Sequence, residues 1–172
     1  MDFVQVVNAR RSIRAFTSRP VEPDKLQTIL QVANRAPSAG NLQAYEIYVV
    51  SRRAALMALA DASLGQEFVA QAPIALVFCA NPKRSSRRYA QRGMSLYCIQ
   101  DATIACTYAQ LAATALGLAS VWVGAFNDDA VREAIGVGQD LLPVAILPIG
   151  YAGEEPEESS RRSLTSLVHH IS

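Results

Sequence analysis

Ile74-Ala75-Leu76-Val77-Phe78-Cys79-Ala80 is a nearly continuous apolar run. Its length and side chains suit a strand, and a strand with no polar positions has to be covered on both faces. The chain must therefore fold in layers around this segment. Helical patterns on either side supply the cover. Residues 2–10 suit a short helix capped by Asp2, with Phe3, Val6 and Val7 on one face. A second helix starts near Pro23, where the missing N–H costs nothing, and carries a stripe of Leu26, Ile29, Leu30 and Ala33. Residues 53–64 are helical by composition. Residues 96–116 form the longest helix, ended by Gly117 in the left-handed position of a C-terminal cap, and 129–135 form a short one. Further strands are predicted at 46–50, 121–123 and 144–149. No internal repeat or linker is evident. The expectation is one α+β domain over 1–172, with a sheet of about four or five strands covered by helices. Residues 152–172 form a C-terminal tail that includes the acidic stretch Glu154 to Glu158.

Composition adds two constraints. Of 172 residues, 51% are hydrophobic and 18% are charged, an apolar excess that a monomer of this size would struggle to bury. A dimer interface resolves it. The alanines at 102, 105, 109, 112 and 113 suit close helix packing, and a dimer core is the expected place for them. The net charge of +1 argues against a nucleic-acid or acidic-membrane binder. No charged residue lies between Asp101 and Asp128, a length that raises a transmembrane helix. Thr103, Thr107, Gln110, Thr114, Gly117 and Ser120 interrupt it, so a buried helix followed by a strand fits better. Met1 to Arg10 lack the apolar run of a secretory signal. A soluble protein is expected. Cys79, Cys98 and Cys106 are odd in number, form no CxxC pair and sit among apolar residues, which reads as buried, reduced thiols in a cytoplasmic protein.

Two segments offer chemistry. In Arg10-Arg11-Ser12-Ile13-Arg14, an extended backbone points Arg10, Ser12 and Arg14 one way. Two guanidinium forks and a hydroxyl suit a phosphate monoester. An exposed basic turn making surface salt bridges uses the same residues. Pro37-Ser38-Ala39-Gly40-Asn41-Leu42-Gln43 gathers short polar residues between a helix and a strand. It suits amide and hydroxyl contacts to a polar ring or phosphate, and equally an ordinary connecting loop. Lys83, Arg84, Arg87, Arg88 and Arg92 form a basic cluster. A solvated loop and helix start balanced by the acidic tail is the favoured account, beside a site for the extra phosphate of NADPH. His169 and His170, the only histidines, are poorly placed for a triad or a metal cage, so no metal is expected.

Together these segments resemble the FMN-dependent nitroreductase family. The matching pieces are Arg-Arg-Ser-Ile-Arg at 10–14, Ala-Pro-Ser-Ala-Gly-Asn-Leu-Gln at 36–43 and Ala-Pro at 72–73. Further along come Ala-Leu-Gly-Leu-Ala-Ser-Val-Trp-Val-Gly-Ala-Phe at 115–126, Leu-Pro-Ile-Gly-Tyr at 147–151 and Arg-Arg-Ser-Leu at 161–164. They occur in family order over nearly the whole chain. The resemblance implies a nitroreductase-like fold with a mostly antiparallel central sheet, and an intertwined homodimer with FMN at the subunit interface. It assigns Arg10, Ser12 and Arg162 to the phosphate and Arg14 to the N1/O2 side of the ring, with Arg11 also among the cofactor-binding residues. Pro37, Ser38, Ala39 and Asn41 would come from the other subunit. Val123 and Gly124 would bring backbone close to the ring, and Gln66 would meet its pyrimidine edge.

The implied activity is NAD(P)H-dependent reduction of a nitroaromatic, quinone or similar acceptor in two hydride steps at flavin N5. No protein nucleophile is needed. Reductive dehalogenation, oxygen-dependent flavin chemistry and a non-catalytic FMN-binding or sensing module are the alternatives. The sequence departs from common family patterns at Ala44-Tyr45, where many members have Pro-Trp, and at Ser160, where some carry a second tail cation that Arg161 could replace. It also lacks room for the long helical excursion that shapes the substrate channel of larger relatives.

Overall fold

The computed structural model describes residues 1–156 and 159–171; Glu157 and Glu158 of the acidic tail lie outside the described residues. Four strands, β1 (Tyr45–Val50), β2 (Ile74–Ala80), β3 (Ala119–Ser120) and β4 (Leu142–Gly150), pair antiparallel throughout in the order β1-β2-β4-β3. The apolar run is β2, second in the sheet and buried at every position. Its residues alternate as the pleat requires. Ile74, Leu76, Phe78 and Ala80 face one core with Ala145, Leu147 and Ile149 of β4. Ala75, Val77 and Cys79 face a second core with Ile146.

The first core is roofed by α2 (Pro23–Ala33) and α6 (Cys98–Ala115). The second is covered by α3 (Arg53–Ala62), the single turn α4 (Phe68–Gln71) and α7 (Asp128–Ile135). Local signals set the ends of several elements. Asp2 caps α1 (Phe3–Ala9) in a reciprocal capping box with Gln5, and Pro23 opens α2. Gly117, at φ +74°, closes α6 in a Schellman turn: its N–H donates to Thr114 O, and the Leu118 N–H to Ala113 O.

Three expectations are corrected. The strand predicted at 121–123 is Ala119–Ser120 instead, and only Val123 rejoins β4, as an isolated bridge to Ile146. β-Propensity favoured Val121 and Val123, but pairing depends on where β4 offers free backbone. Ala102, Ala105, Ala109 and Ala113 are fully buried within their own chain, against the sheet and α2, so they form no dimer core. The basic cluster, expected as a solvated loop and helix start, is exposed as expected but contains no loop. It lies on a helix, α5 (Pro82–Arg92), started by the Asn81 side chain accepting the Arg84 N–H, with Pro82 in the first turn. A π-helical turn, Gly93–Tyr97, joins it to α6. No helix among the described residues is long and apolar enough to cross a membrane.

All three cysteines are buried and free, and burial pushes the Cys79 thiol up to about 12 and raises those of Cys98 and Cys106. On α1 only Val6 is buried. Phe3 is 73% exposed and Val7 44%, so the predicted apolar face is largely uncovered within the chain.

Candidate functional site

The arginine-rich segment leaves α1 at Arg10, whose N–H donates to Val6 O. It then runs beside β3. Ser12 bridges Ser120 in parallel fashion, and the Ile13 N–H donates to Ser120 O at 3.2 Å. Ile13 is buried while Ser12 and Arg14 are exposed, the alternation of an extended chain. The Arg11 guanidinium turns back to the carbonyls of Asn8 and Arg10 at the end of α1. Beyond Arg14 the chain zips onto the end of β4, with Gly153 N–H donating to Ala15 O and Thr17 N–H to Tyr151 O. The Arg14 N–H donates to Glu154 Oε1 at 2.5 Å, so the first acidic residue of the tail meets this segment rather than α5.

A cleft of about 550 Å³ opens between Val7, Asn8, Arg10, Arg11, Ser159 and Arg161. Three of its six lining residues are arginines, a residue type whose forked donors suit an anion. Arg161 lines this cleft while its guanidinium donates to the tail carbonyls of Ser159 and Ser160 at 3.3 and 3.0 Å. Arg162 donates to Ser166 O at 2.8 Å, the last residue of the 3₁₀ turn Leu164–Ser166.

Beyond β3, which borders the arginine-rich segment through Ser120, the chain returns to β4. Val123 exchanges both backbone hydrogen bonds with Ile146, at 2.9 and 3.0 Å, and Gly124 is the first exposed residue after it. Gln66 reaches this turn: its amide nitrogen donates to Ser63 O at 2.9 Å and Ala125 O at 3.3 Å. Residues 10–14, 119–125 and Gln66 therefore form one continuous wall.

Pro37, Ser38, Ala39 and Asn41 lie elsewhere. Pro37, Ser38 and Ala39 line a second cleft of about 550 Å³ with Tyr97, Asp101 and Ile104, sharing no residue with the first. The loop is built from left-handed backbone, with φ of +56° at Gly40, +55° at Asn41 and +48° at Gln43. Such angles persist only where the surroundings enforce them. Ser38 Oγ accepts the Gln43 N–H at 2.9 Å, and Asp101 accepts the N–H groups of Ala39 and Ala44. From α5, Arg84 donates to Leu42 O and Arg88 to Gly40 O. Burial, together with the Asp101 charge, holds the Tyr45 phenol above its ordinary range at the foot of the loop.

Sequence reasoning missed Asp101, and it read Arg84 and Arg88 as members of a basic cluster without their tie to the loop. The signal for Asp101 was present, because a lone carboxylate in an alanine-rich helix has to find donors once that helix is buried. The two α5 arginines could be singled out only after α5 was known to be a helix, which puts positions 84 and 88 on one face.

At the other end of the arginine-rich segment, Tyr151 donates to the Glu22 carboxylate at 2.7–2.8 Å and accepts from Lys25 Nζ at 2.8 Å. The Arg19 guanidinium lies 3.8 Å above the Tyr151 ring. The Tyr151 hydroxyl, then the Glu22 backbone N–H and Arg19, hold the Glu22 carboxyl down at about 2.

Residues 7–66 and 60–151 match the model of the nitroreductase family. An NADH dehydrogenase of Thermus thermophilus is 32% identical, over 92% of this chain and 91% of the relative. The crystal structure of a nitroreductase family protein of Clostridium difficile 630 superposes with a TM-score of 0.88 at 33% identity, covering 100% of this chain and 99% of the other. An FMN-dependent nitroreductase of Clostridium difficile R20291 superposes at 0.83 with 30% identity, covering 98% of both chains. With its four-stranded sheet, its two helical layers and this similarity along nearly its full length, the chain belongs to the nitroreductase family.

Proposed function

We propose that this chain is an FMN-dependent NAD(P)H oxidoreductase, acting as a homodimer that reduces a nitroaromatic, quinone or similar organic acceptor by a ping-pong hydride mechanism. The observation that carries this reading is the cleft of Arg10, Arg11 and Arg161 at the head of the wall formed by residues 10–14, 119–125 and Gln66. Its chemistry fits a flavin mononucleotide, which ends in a phosphate dianion and needs forked cationic donors at that end. Bound FMN would supply the hydride chemistry at N5, taking a hydride from NADH or NADPH and passing it to the acceptor.

The chain's own residues hold and tune it. Arg10 and Arg161 neutralise the phosphate, and Ser12 adds a hydroxyl beside them. Arg14 sets a fixed cation toward the N1/O2 edge, where negative charge collects on reduction. Gln66, its nitrogen engaged by two carbonyls, offers Oε1 to a ring N–H. Gly124 has no side chain to obstruct close approach of the ring. The Pro37–Asn41 loop completes the pocket from the partner subunit, which accounts for its lying in a separate cleft of one chain. Exposed Phe3 and Val7 on α1, and Leu164 and Ile171 in the tail, are surfaces for a partner to cover.

Purified protein should be yellow, bleach anaerobically with NADH or NADPH, and recover its colour with an acceptor. Colourless protein that takes up no added FMN refutes the reading, and bound FMN without hydride transfer leaves only a binding module. Replacing Arg10 by Ala removes a charge-assisted hydrogen bond of about 1.5–3 kcal/mol, so Kd for FMN should rise roughly tenfold to a hundredfold. The dimer should stay folded.

A further inference from the structure

We propose that Asp101 is a positioning residue for the flavin-contacting loop, clamping both ends of residues 39–44 from α6. The proposal rests on the reading above that this loop meets FMN, and it adds a residue that touches neither cofactor nor substrate.

Asp101 is the one charged residue in α6 and is 2% exposed. No cation pairs with it among the described residues. A buried, unpaired carboxylate is retained only where hydrogen-bond donors replace its water. Here the donors are two backbone N–H groups, Ala39 at 2.9 Å to one oxygen and Ala44 at 3.3 Å to the other. They bracket the left-handed residues Gly40, Asn41 and Gln43. The α5 ties to Leu42 O and Gly40 O are made by exposed arginines, and the Ser38 to Gln43 bond is internal to the loop. The buried link between the loop and the sheet-packed helix is therefore the Asp101 carboxylate.

The chemistry asks for aspartate. Two separated N–H donors need two acceptor oxygens, and an asparagine would offer one oxygen and set its NH₂ against the other N–H. With the carboxylate present, the loop holds its shape before any ligand arrives, and binding is relieved of the entropic cost of ordering it. Without it, the loop relaxes and that cost returns as weaker binding.

The test compares wild type, D101N and V131A, the last a buried α7 change in the opposite core that lowers stability without touching the loop. FMN affinity is measured by fluorescence quenching, and amide hydrogen exchange is followed in the FMN-free protein. D101N should weaken FMN binding at least tenfold and speed exchange at the Ala39 and Ala44 amides at least tenfold. V131A should melt earlier yet bind FMN within about twofold of wild type. Tight FMN binding by D101N, unchanged exchange at the two amides, or equal weakening by V131A overturns the proposal. Should D101N fail to fold, Asp101→Ser, which removes the charge in less volume, is read by the same criteria. If wild type itself takes up no FMN, the functional reading fails, while the exchange measurement still decides whether the clamp exists.

Discussion

Gly40→Ala separates two ways in which the Pro37–Gln43 loop could serve a ligand. At φ +56° an alanine sits in the left-handed region at a cost of about 1–2 kcal/mol. A Cβ there would lie 2.5 Å from the Tyr89 hydroxyl and 2.9 Å from Arg88 Nη1. Both atoms are the ends of flexible side chains, so they swing aside at little further cost. The Arg88 contact to Gly40 O is 3.5 Å and exposed, and its loss adds about 0.5 kcal/mol or less. The total stays near 1–2 kcal/mol. At about 2–4 °C per kcal/mol for a chain of this size, Tm should fall by about 2–8 °C. A loop already clamped in the free protein carries the strain both with and without FMN, so Kd should change less than about threefold. The assay is calorimetric melting of the FMN-free protein beside a fluorescence titration with FMN, since bound ligand would itself raise Tm. A Tm within 1 °C of wild type combined with a Kd raised tenfold would show that the loop adopts this shape only on binding, and would refute the reasoning.

Other expectations concern protonation. Burial raises the Cys79 thiol to about 12 and lifts Cys106 as well, against an ordinary thiol value of 9.0. The folded state thus keeps protons that the unfolded chain releases, so this stability is complete below about pH 9 and is lost as pH rises toward 12. Tm should decline over that window, less steeply in Cys79→Ala, and a thiol reagent at pH 8 should label all three cysteines only after unfolding. Glu22, held at about 2 with the Tyr151 hydroxyl as the largest cause, behaves oppositely. Its contribution is present above about 4.5 and lost as pH falls through 2, and Tyr151→Phe should move the Glu22 titration upward by NMR. An unmoved Glu22 titration would mean that Arg19 and the backbone, not the tyrosine, set its value.

What was legible in the sequence was local or periodic. The apolar run at 74–80 announced a strand covered twice, and Asp2, Pro23 and Gly117 marked helix ends through short-range bonds. The failures share a different cause. Val121 and Val123 have the side chains of a strand, but the pairing is made by Ala119 and Ser120 and resumes only at Val123, because the β4 residue opposite Val121 in this register is Pro148, which has no N–H to donate. The alanines of α6 announced close packing without naming the neighbour, which proved to be the chain's own sheet. Asp101 needed donors, and they come from a loop about sixty residues earlier, a distance at which no sequence pattern operates. In the candidate site the arginine-rich segment could be read from side-chain chemistry alone. The tail cation could not, because Arg161 and Arg162 are adjacent and only the fold of the tail brings one of them to Arg10.

The two parts of the site are held by different kinds of force, and this decides how each responds to change. Residues 10–14 and 119–125 are stitched to the sheet by backbone bonds, through Ser120 and Ile146, with Ile13 and Val123 buried behind them. Disturbing that wall costs sheet pairing and core packing at once, so its shape follows the fold. The Pro37–Gln43 loop is held by side chains: one buried carboxylate, two exposed guanidinium groups and a serine hydroxyl. Side-chain ties can be altered singly while both cores stay intact. The wall is accordingly suited to a demand that does not vary, which in the proposed function is anchoring a phosphate and a ring edge, and the loop is where geometry can be retuned without unfolding the protein. Replacing Asp101 and straining Gly40 probe that same loop in opposite ways. One loosens it before binding and is expected to register in affinity; the other strains it in both states and is expected to register in stability.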